Sequence, residues 1–285
     1  MDACSLIPEA SVIGQRSAPP GYEFVGNRYT VVNKVLKPSE TFIAEAGSML
    51  HMSDGVRMSS TFGGVAGVAN SLVSGEDIAR VRFINAGSSD GFVGITPNQP
   101  MAVVVPVDLG SGGAINAKRG AYIAGPETVR PVAQILPATS CLACCCGGMP
   151  PIIQSVRGSG VAFLAAGGTV VRKTLARGES VLVDTHSVVA FSPTVGYDVK
   201  RVGSCVTCCF GGEGCFNTHL RGPGDVYIQS MSYEKLIDFL LTPTPAGGGD
   251  GDRDRDGDGG GNGAPPQAEI SRYQTPLEVE EGFNS

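Results

Sequence analysis

Along VVNKVLKPSETFIAEAGSML, residues 31 to 50, apolar and polar side chains alternate on both sides of a Lys-Pro-Ser turn. Two later stretches repeat the pattern, VVVPVDLGSGGAINAKRGAYI from 103 to 123 and VVRKTLARGESVLVDTHSVV from 170 to 189. They superpose through Leu36, Leu109 and Leu175, which carries Phe42 onto Ile115 and Val181, and Gly47 onto Gly120 and His186. Alternation with period two, broken by a short turn, predicts a β-hairpin with one buried face in each copy.

A second arm follows. Residues 140–164, SCLACCCGGMPPIIQSVRGSGVAFL, lie without a gap on 204–228, SCVTCCFGGEGCFNTHLRGPGDVYI, and nine of the 25 positions are identical. The shared residues include the turn Arg157-Gly158, matched by Arg221-Gly222. Residues 60–95 are a weaker relative, with Phe62-Gly63-Gly64 at the place of the glycine pair. The pattern predicts three tandem β-modules, 28–96, 97–166 and 167–231, after an N-terminal tail, 1–27. Modules of this size seldom bury enough surface alone, so they are expected to pack side by side into one body. A short segment, 232–242, and a Gly/Asp-rich disordered tail, 243–285, complete the expected organisation.

Composition narrows the class. With 41 glycines, 19 prolines and 42% hydrophobic residues, the 285-residue chain reads as all-β and rich in turns. A formal net charge of −6 argues against binding nucleic acid through phosphate neutralisation. The longest apolar run, Val161 to Val171, is too short for a membrane helix. The first twenty residues have neither the apolar core of a signal peptide nor the basic character of a transit peptide, which predicts a cytoplasmic protein whose nine cysteines are mostly thiols. In the tail, Asp252, Asp254, Asp256 and Gly257 mimic the opening of a calcium loop, but Gly263 stands where the bidentate glutamate belongs, so a solvated linker is expected.

Several motifs together are specific. AEAGSML (44–50), TFGG with SGED (61–64 and 74–77), PVDL with KRGAYIA (106–109 and 118–124), and VAFSPTVGYDVKRV with FGGEG (189–202 and 210–214) resemble the altered-inheritance-of-mitochondria family. The resemblance covers about residues 22–232. It implies TRAP-like domains, similar to those of the tryptophan RNA-binding attenuation protein: three short double-stranded β-helix or β-sandwich modules per chain, and a homotrimer closing a ring of nine. It also implies an association with mitochondrial membrane organisation, an alternative to the cytoplasmic location. It brings no catalytic residue and no cofactor. The chain departs from the family at His186, where glycine is usual, and at the cysteines, where apolar residues are usual.

The cysteines are the main candidate chemistry. Cys141, Cys144, Cys205 and Cys208 could supply four thiolates to one zinc ion, though equivalent points on adjacent modules should lie a module's width apart. Cys141, Cys144, Cys145 and Cys146 are equally candidates for reversible acylation and peripheral membrane contact. The third reading is free thiols in a tight turn. Asp184, His186 and Ser187 hint at a hydrolytic triad, but on a strand Ser187 would point away from His186. His51 and His219 have no neighbouring carboxylate in sequence. Lys118-Arg119, Arg172-Lys173 and Lys200-Arg201 are the candidates for an RNA track, but Lys118 maps onto Glu45 and Asp184, so no repeated track results. The expected function is a non-enzymatic, oligomeric scaffold or interaction protein that organises partners at a membrane face. A zinc or thiol module and an RNA-binding ring are the alternatives.

Overall fold

The computed structural model describes residues 10–13, 18–26, 30–61, 80–135, 152–201 and 216–241. Two strands come first, β1 (Ala10–Ile13) and β2 (Tyr22–Val25). Three sets of six follow. The first is β3 (Val31–Leu36), β4 (Thr41–Glu45), β5 (Met49–Met52), β6 (Val56–Thr61), β7 (Arg80–Asn85) and β8 (Gly91–Ile95). The second is β9 (Ala102–Asp108), β10 (Gly113–Ala117), β11 (Tyr122–Pro126), β12 (Arg130–Ile135), β13 (Ile152–Gly158) and β14 (Val161–Gly167). The third is β15 (Val170–Leu175), β16 (Ser180–Asp184), β17 (Val188–Phe191), β18 (Gly196–Arg201), β19 (Phe216–Arg221) and β20 (Gly224–Gln229). A short helix, α1 (Tyr233–Leu241), ends the described chain.

Within each set the pairing is the same. The sixth strand lies between the first and the third, and the fifth lies between the second and the fourth, all antiparallel. Even the irregularities recur: the third strand slips register against the sixth between Met49 and His51, Tyr122 and Ala124, and Val188 and Ala190. Each bulge inserts one residue and twists the strand locally.

Neighbouring sets fuse through one further pairing. β11 joins β4, with Ala124 opposite Ala44, and β17 joins β10, with Ala190 opposite Ala117. These two joints build a six-stranded sheet, β6-β7-β4-β11-β14-β9, and a seven-stranded one, β1-β15-β20-β17-β10-β13-β12. What remains is a four-stranded sheet, β2-β3-β8-β5, and a three-stranded one, β16-β19-β18. The buried side chains follow the joints. Phe163 and Ile123, from the second set, belong to the cluster around Phe42 and Phe83 of the first, while Val189 and Tyr227 of the third belong to the cluster of the second.

Local chemistry explains the turns. Lys34 pairs with Glu40 at 2.8 Å, and that carboxylate also accepts the Lys37 N–H at 2.9 Å. At the equivalent place in the third set, Lys173 pairs with Glu179 at 2.7 Å, and Glu179 accepts the Ala176 N–H at 2.9 Å. The second set has Val107 and Gly113 there and relies on Asp108, which accepts the Gly110 N–H at 2.8 Å. The repeated Arg-Gly turn has a steric cause. Gly158 sits at φ 139°, and a Cβ there would strike the Thr128 carbonyl, so only glycine fits.

Candidate functional site: open strand edges and a helix-capped cleft

All nine cysteines lie outside the described residues, and with them the zinc and acylation candidates Cys141, Cys144, Cys145, Cys146, Cys205 and Cys208. The calcium-like run at Asp252 lies outside them too. Topology still locates the segments that carry the cysteine clusters: 136–151 and 202–215 each connect the fourth strand of a set to the fifth, as 62–79 does in the first set. Among the described residues, no three His, Cys, Asp or Glu side chains gather as a metal site would require.

The stretch around Asp184 differs from its expected strand form. Thr185–Ser187 is a 3-10 turn, so alternation does not apply. Asp184 caps the turn, accepting the backbone N–H of His186 at 3.1 Å and the Ser187 hydroxyl at 3.3 Å. Ser187 thus points at the carboxylate, which serves as a turn cap and as a partner of Lys235. His51 is exposed, its ring 5.7 Å from that of Phe92. His219 is half-buried on the middle strand of its sheet, with Asp198 opposite, a carboxylate that sequence spacing did not reveal.

Most basic pairs are held by acids. Arg172 reaches Asp225 at 2.6 Å and lies over Tyr227, Lys173 is bound to Glu179, and Lys118 meets Glu234 at 2.6 Å. Arg119 is exposed, and the side chains of Lys200 and Arg201 lie outside the description. The repeat position Glu45, Lys118 and Asp184 therefore alternates in sign.

The helix α1 organises this end of the molecule. Its sequence YEKLIDFLL follows Ser232, whose hydroxyl accepts the Lys235 N–H at 3.1 Å and caps the first turn. Glu234 then meets Lys118, and Lys235 meets Asp184 at 2.5 Å, so one turn of helix spans the second and third strand sets. Under it is a cleft of about 150 Å³ whose lining includes Gln99, Arg119, Val189, Gln229 and Tyr233. Burial raises the carboxyl of Asp184, but Lys235 and the His186 N–H outweigh it and hold the group low. Glu234 is likewise held low against burial by Lys118. At Glu45 the balance goes the other way: burial pushes it up to about 7, and the hydrogen bond from Asn98, 3.2 Å long, only tempers this.

Each of the four sheets ends in two outer strands; among the described residues β5, outer in the four-stranded sheet, and β16, outer in the three-stranded one, pair on one side only, whereas their equivalents β11, β17, β4 and β10 are all engaged in joints. Both open strands display large apolar residues, Leu50 and Leu182. The repeat alignment already contained this signal, because it shows which strands have counterparts, but not which counterparts pair between sets.

Strand sets fused edge to edge, with a helix-capped cleft, define an all-β repeat protein. The model of the family described as mitochondrial biogenesis AIM24 matches residues 22–231, and the chain belongs to that family. An uncharacterised protein of Streptococcus pyogenes serotype M6 is 25% identical over 216 residues, covering 73% of this chain and 84% of its own. A crystal structure of a Streptococcus pyogenes protein superposes with a TM-score of 0.62 at 23% identity, over 77% of this chain and 97% of that one, which establishes a common fold. No described helix is long and apolar enough to cross a membrane.

Proposed function

We propose that this protein is a non-enzymatic β-scaffold that assembles with copies of itself, as a homotrimer, and presents surfaces to partners at a membrane face. The observation that carries the reading is that, among the described residues, β5 and β16 are outer strands with one unpaired side, while the strands equivalent to them in the other sets are joined. Unpaired backbone donors and acceptors invite a further strand, and a head-to-tail contact that closes on itself covers both ends at once. Membership of a family named for mitochondrial biogenesis supports an organising role at a membrane. So does the tip of α1, where Phe239, Leu240 and Leu241 are exposed together. Light scattering at micromolar concentration tests the assembly, with a mass three times the 29.3 kDa chain expected and a lone chain as the contrary result. Flotation with vesicles tests the membrane face. Acylation of Cys141, Cys144, Cys145 and Cys146 would strengthen that contact, so their replacement by serine is expected to lower membrane recovery from acylating cells without unfolding the protein.

A further inference from the structure

The turn after the second strand has the same backbone in the first two sets and opposite chemistry. The Ser48 N–H donates to the Glu45 carbonyl at 3.2 Å, and the Ala121 N–H donates to the Lys118 carbonyl at 3.0 Å. Each sixth strand then runs past its turn in the same way, with the Thr96 N–H on the Ser48 carbonyl at 2.8 Å and the Ala165 N–H on the Ala121 carbonyl at 2.6 Å. Two residues further on, the sets part. In the first, the amide nitrogen of Asn98 lies over the turn and donates to the Glu45 carboxylate at 3.2 Å and to the Ala46 carbonyl at 2.9 Å. The same place in the second set is Gly167, where a Cβ would strike the Met231 carbonyl, so no side chain can take the role of Asn98.

The cleft under α1 opens at this place. Lys118, Arg119, Ala121 and Ala165 line it, the counterparts of Glu45, Ala46, Ser48 and Thr96 around the Asn98 amide. Where the first set presents a carboxylate and a carbonyl to a donor, the second presents two cations, so the group that suits it is a planar acceptor of amide shape. Arg119 is exposed and joins none of the ion pairs among the described residues. Lys118 gives Glu234 one contact, and an ammonium carries three donors. A guanidinium fork matches a carboxylate in two parallel hydrogen bonds. The charged lining is two cations against one carboxylate, Glu234, which favours a single negative charge and repels a second. Behind the cations, Ala121, Ala165 and Val189 form a buried apolar wall, and Tyr233 stands half-exposed at the other side. A space of about 150 Å³ holds a body the size of a benzene ring.

We infer that the cleft under α1 is a binding site for a small organic monocarboxylate, its carboxylate held by Arg119 and Lys118 and its apolar body laid against Ala121, Ala165 and Val189. The carboxylate takes the place that the Asn98 amide takes in the first set, with the direction of every hydrogen bond reversed. All of these residues belong to one chain, so the site goes beyond the scaffold reading and stands whether or not copies assemble. Gln229 contributes shape rather than contacts, because its amide is already used, donating to the His186 carbonyl at 3.0 Å and accepting the Gly167 N–H at 2.9 Å.

Titration of the full chain with sodium butyrate and sodium benzoate tests it, with benzamide and inorganic phosphate as the neutral and the multiply charged comparisons. Calorimetry is expected to give a millimolar or tighter dissociation constant for at least one carboxylate, and about tenfold weaker binding of benzamide. In methyl-labelled protein the same carboxylate should shift the Val189 resonances saturably, a readout of place that needs no variant. Arg119→Gln, at an exposed position, is expected to keep the thermal midpoint and lose about tenfold in affinity, and Arg119→Lys to recover part of it. Absence of saturable binding of either carboxylate to wild type would overturn the site, as would binding that leaves Val189 unmoved. Equal affinity of Arg119→Gln and wild type would remove the role of the cation. Benzamide bound as tightly as benzoate would mean an apolar cleft without charge recognition, and phosphate bound more tightly than both carboxylates would overturn the choice of ligand class.

Discussion

Both joints set alanine opposite alanine, but the joint between β4 and β11 lies over a cluster of rings and carries one ion pair between the sets, Arg82 with Glu127 at 2.7 Å, whereas the joint between β10 and β17 is tied at its rim by two ion pairs from a helix. Phe42 and Phe163 meet edge to face at 6.3 Å, Tyr22 approaches Phe163 at 4.8 Å, and Phe24 approaches it at 6.2 Å. At the second joint Ala117 faces Ala190, and the helix α1 ties the rim through Lys118 with Glu234 and Asp184 with Lys235. One backbone pairing thus accepts two closing chemistries. The rim residues at the equivalent place differ in their ionisation: burial acts on both, but Lys235 holds Asp184 low, while at Glu45 burial prevails over the Asn98 hydrogen bond and pushes the carboxyl up to about 7. The strand pattern demands only antiparallel partners, and the side chains around each joint are free to supply apolar burial or charge.

The largest effect should come from emptying the aromatic joint. Phe163→Ala removes a fully buried ring that touches both the first and second sets, and thermal or urea unfolding should show a loss of about 3–5 kcal/mol. A loss no larger than that of the exposed Val132→Ala would break the distinction between the joints.

Next in size is Glu45→Gln. The folded-state pKa of Glu45 lies near 7, above its ordinary value of 4.5, so the folded protein binds the extra proton between these values. Below pH 4.5 the group is protonated folded or unfolded and costs nothing; as pH rises towards 7 the cost of ionising it in the fold grows to its full size. Glutamine should therefore stabilise the protein by roughly 1–2 kcal/mol at pH 8, less than the whole shift implies because solvent screens the group, and change little at pH 4. Equal stability of variant and wild type at both pH values would remove the contrast with Asp184.

The smallest expected effect is at the rim of the second joint. A double-mutant cycle with Lys118→Met and Glu234→Gln should give a coupling of about 0.3–1 kcal/mol that shrinks in about 0.5 M salt. Because the Glu234 carboxyl is held low, this contribution is present at neutral pH and should fade as pH falls below the ordinary glutamate range. A coupling that survives acid and salt alike would mean that packing, rather than charge, seats α1.

Much of the fold was legible. Leu36 and Leu175 are buried at the ends of first strands and Leu109 is buried directly after one, and the all-β class follows from the alternation around them. The Arg157-Gly158 identity pointed to a turn that steric crowding requires. Other features were hidden for physical reasons. The turn at Thr185–Ser187 looks like strand because a side chain, Asp184, supplies the cap that breaks it. The helix α1 sits in what reads as a short trailing segment, although Ser232 and the spacing of Leu236, Ile237 and Leu240 carry a capped amphipathic signal. Cysteine clusters are conspicuous in a sequence, whereas the exposed outer-strand residues Leu50 and Leu182 are ordinary apolar residues that nothing in the sequence marks as exposed.

The sequence by itself determined the period of the repeat, the alternation that makes each segment a strand, and the glycines and Lys–Glu clamps that make its turns, because these depend on neighbours a few residues apart. It could not decide which strand of one set borders which strand of the next, since equivalent hairpins offer equivalent edges. Only the tertiary structure chose β4 with β11 and β10 with β17, by burying Ile123 and Val189 there, and that choice left β5 and β16 exposed. An unpaired edge is a property of the whole arrangement, because a strand is open only when every other strand has been placed.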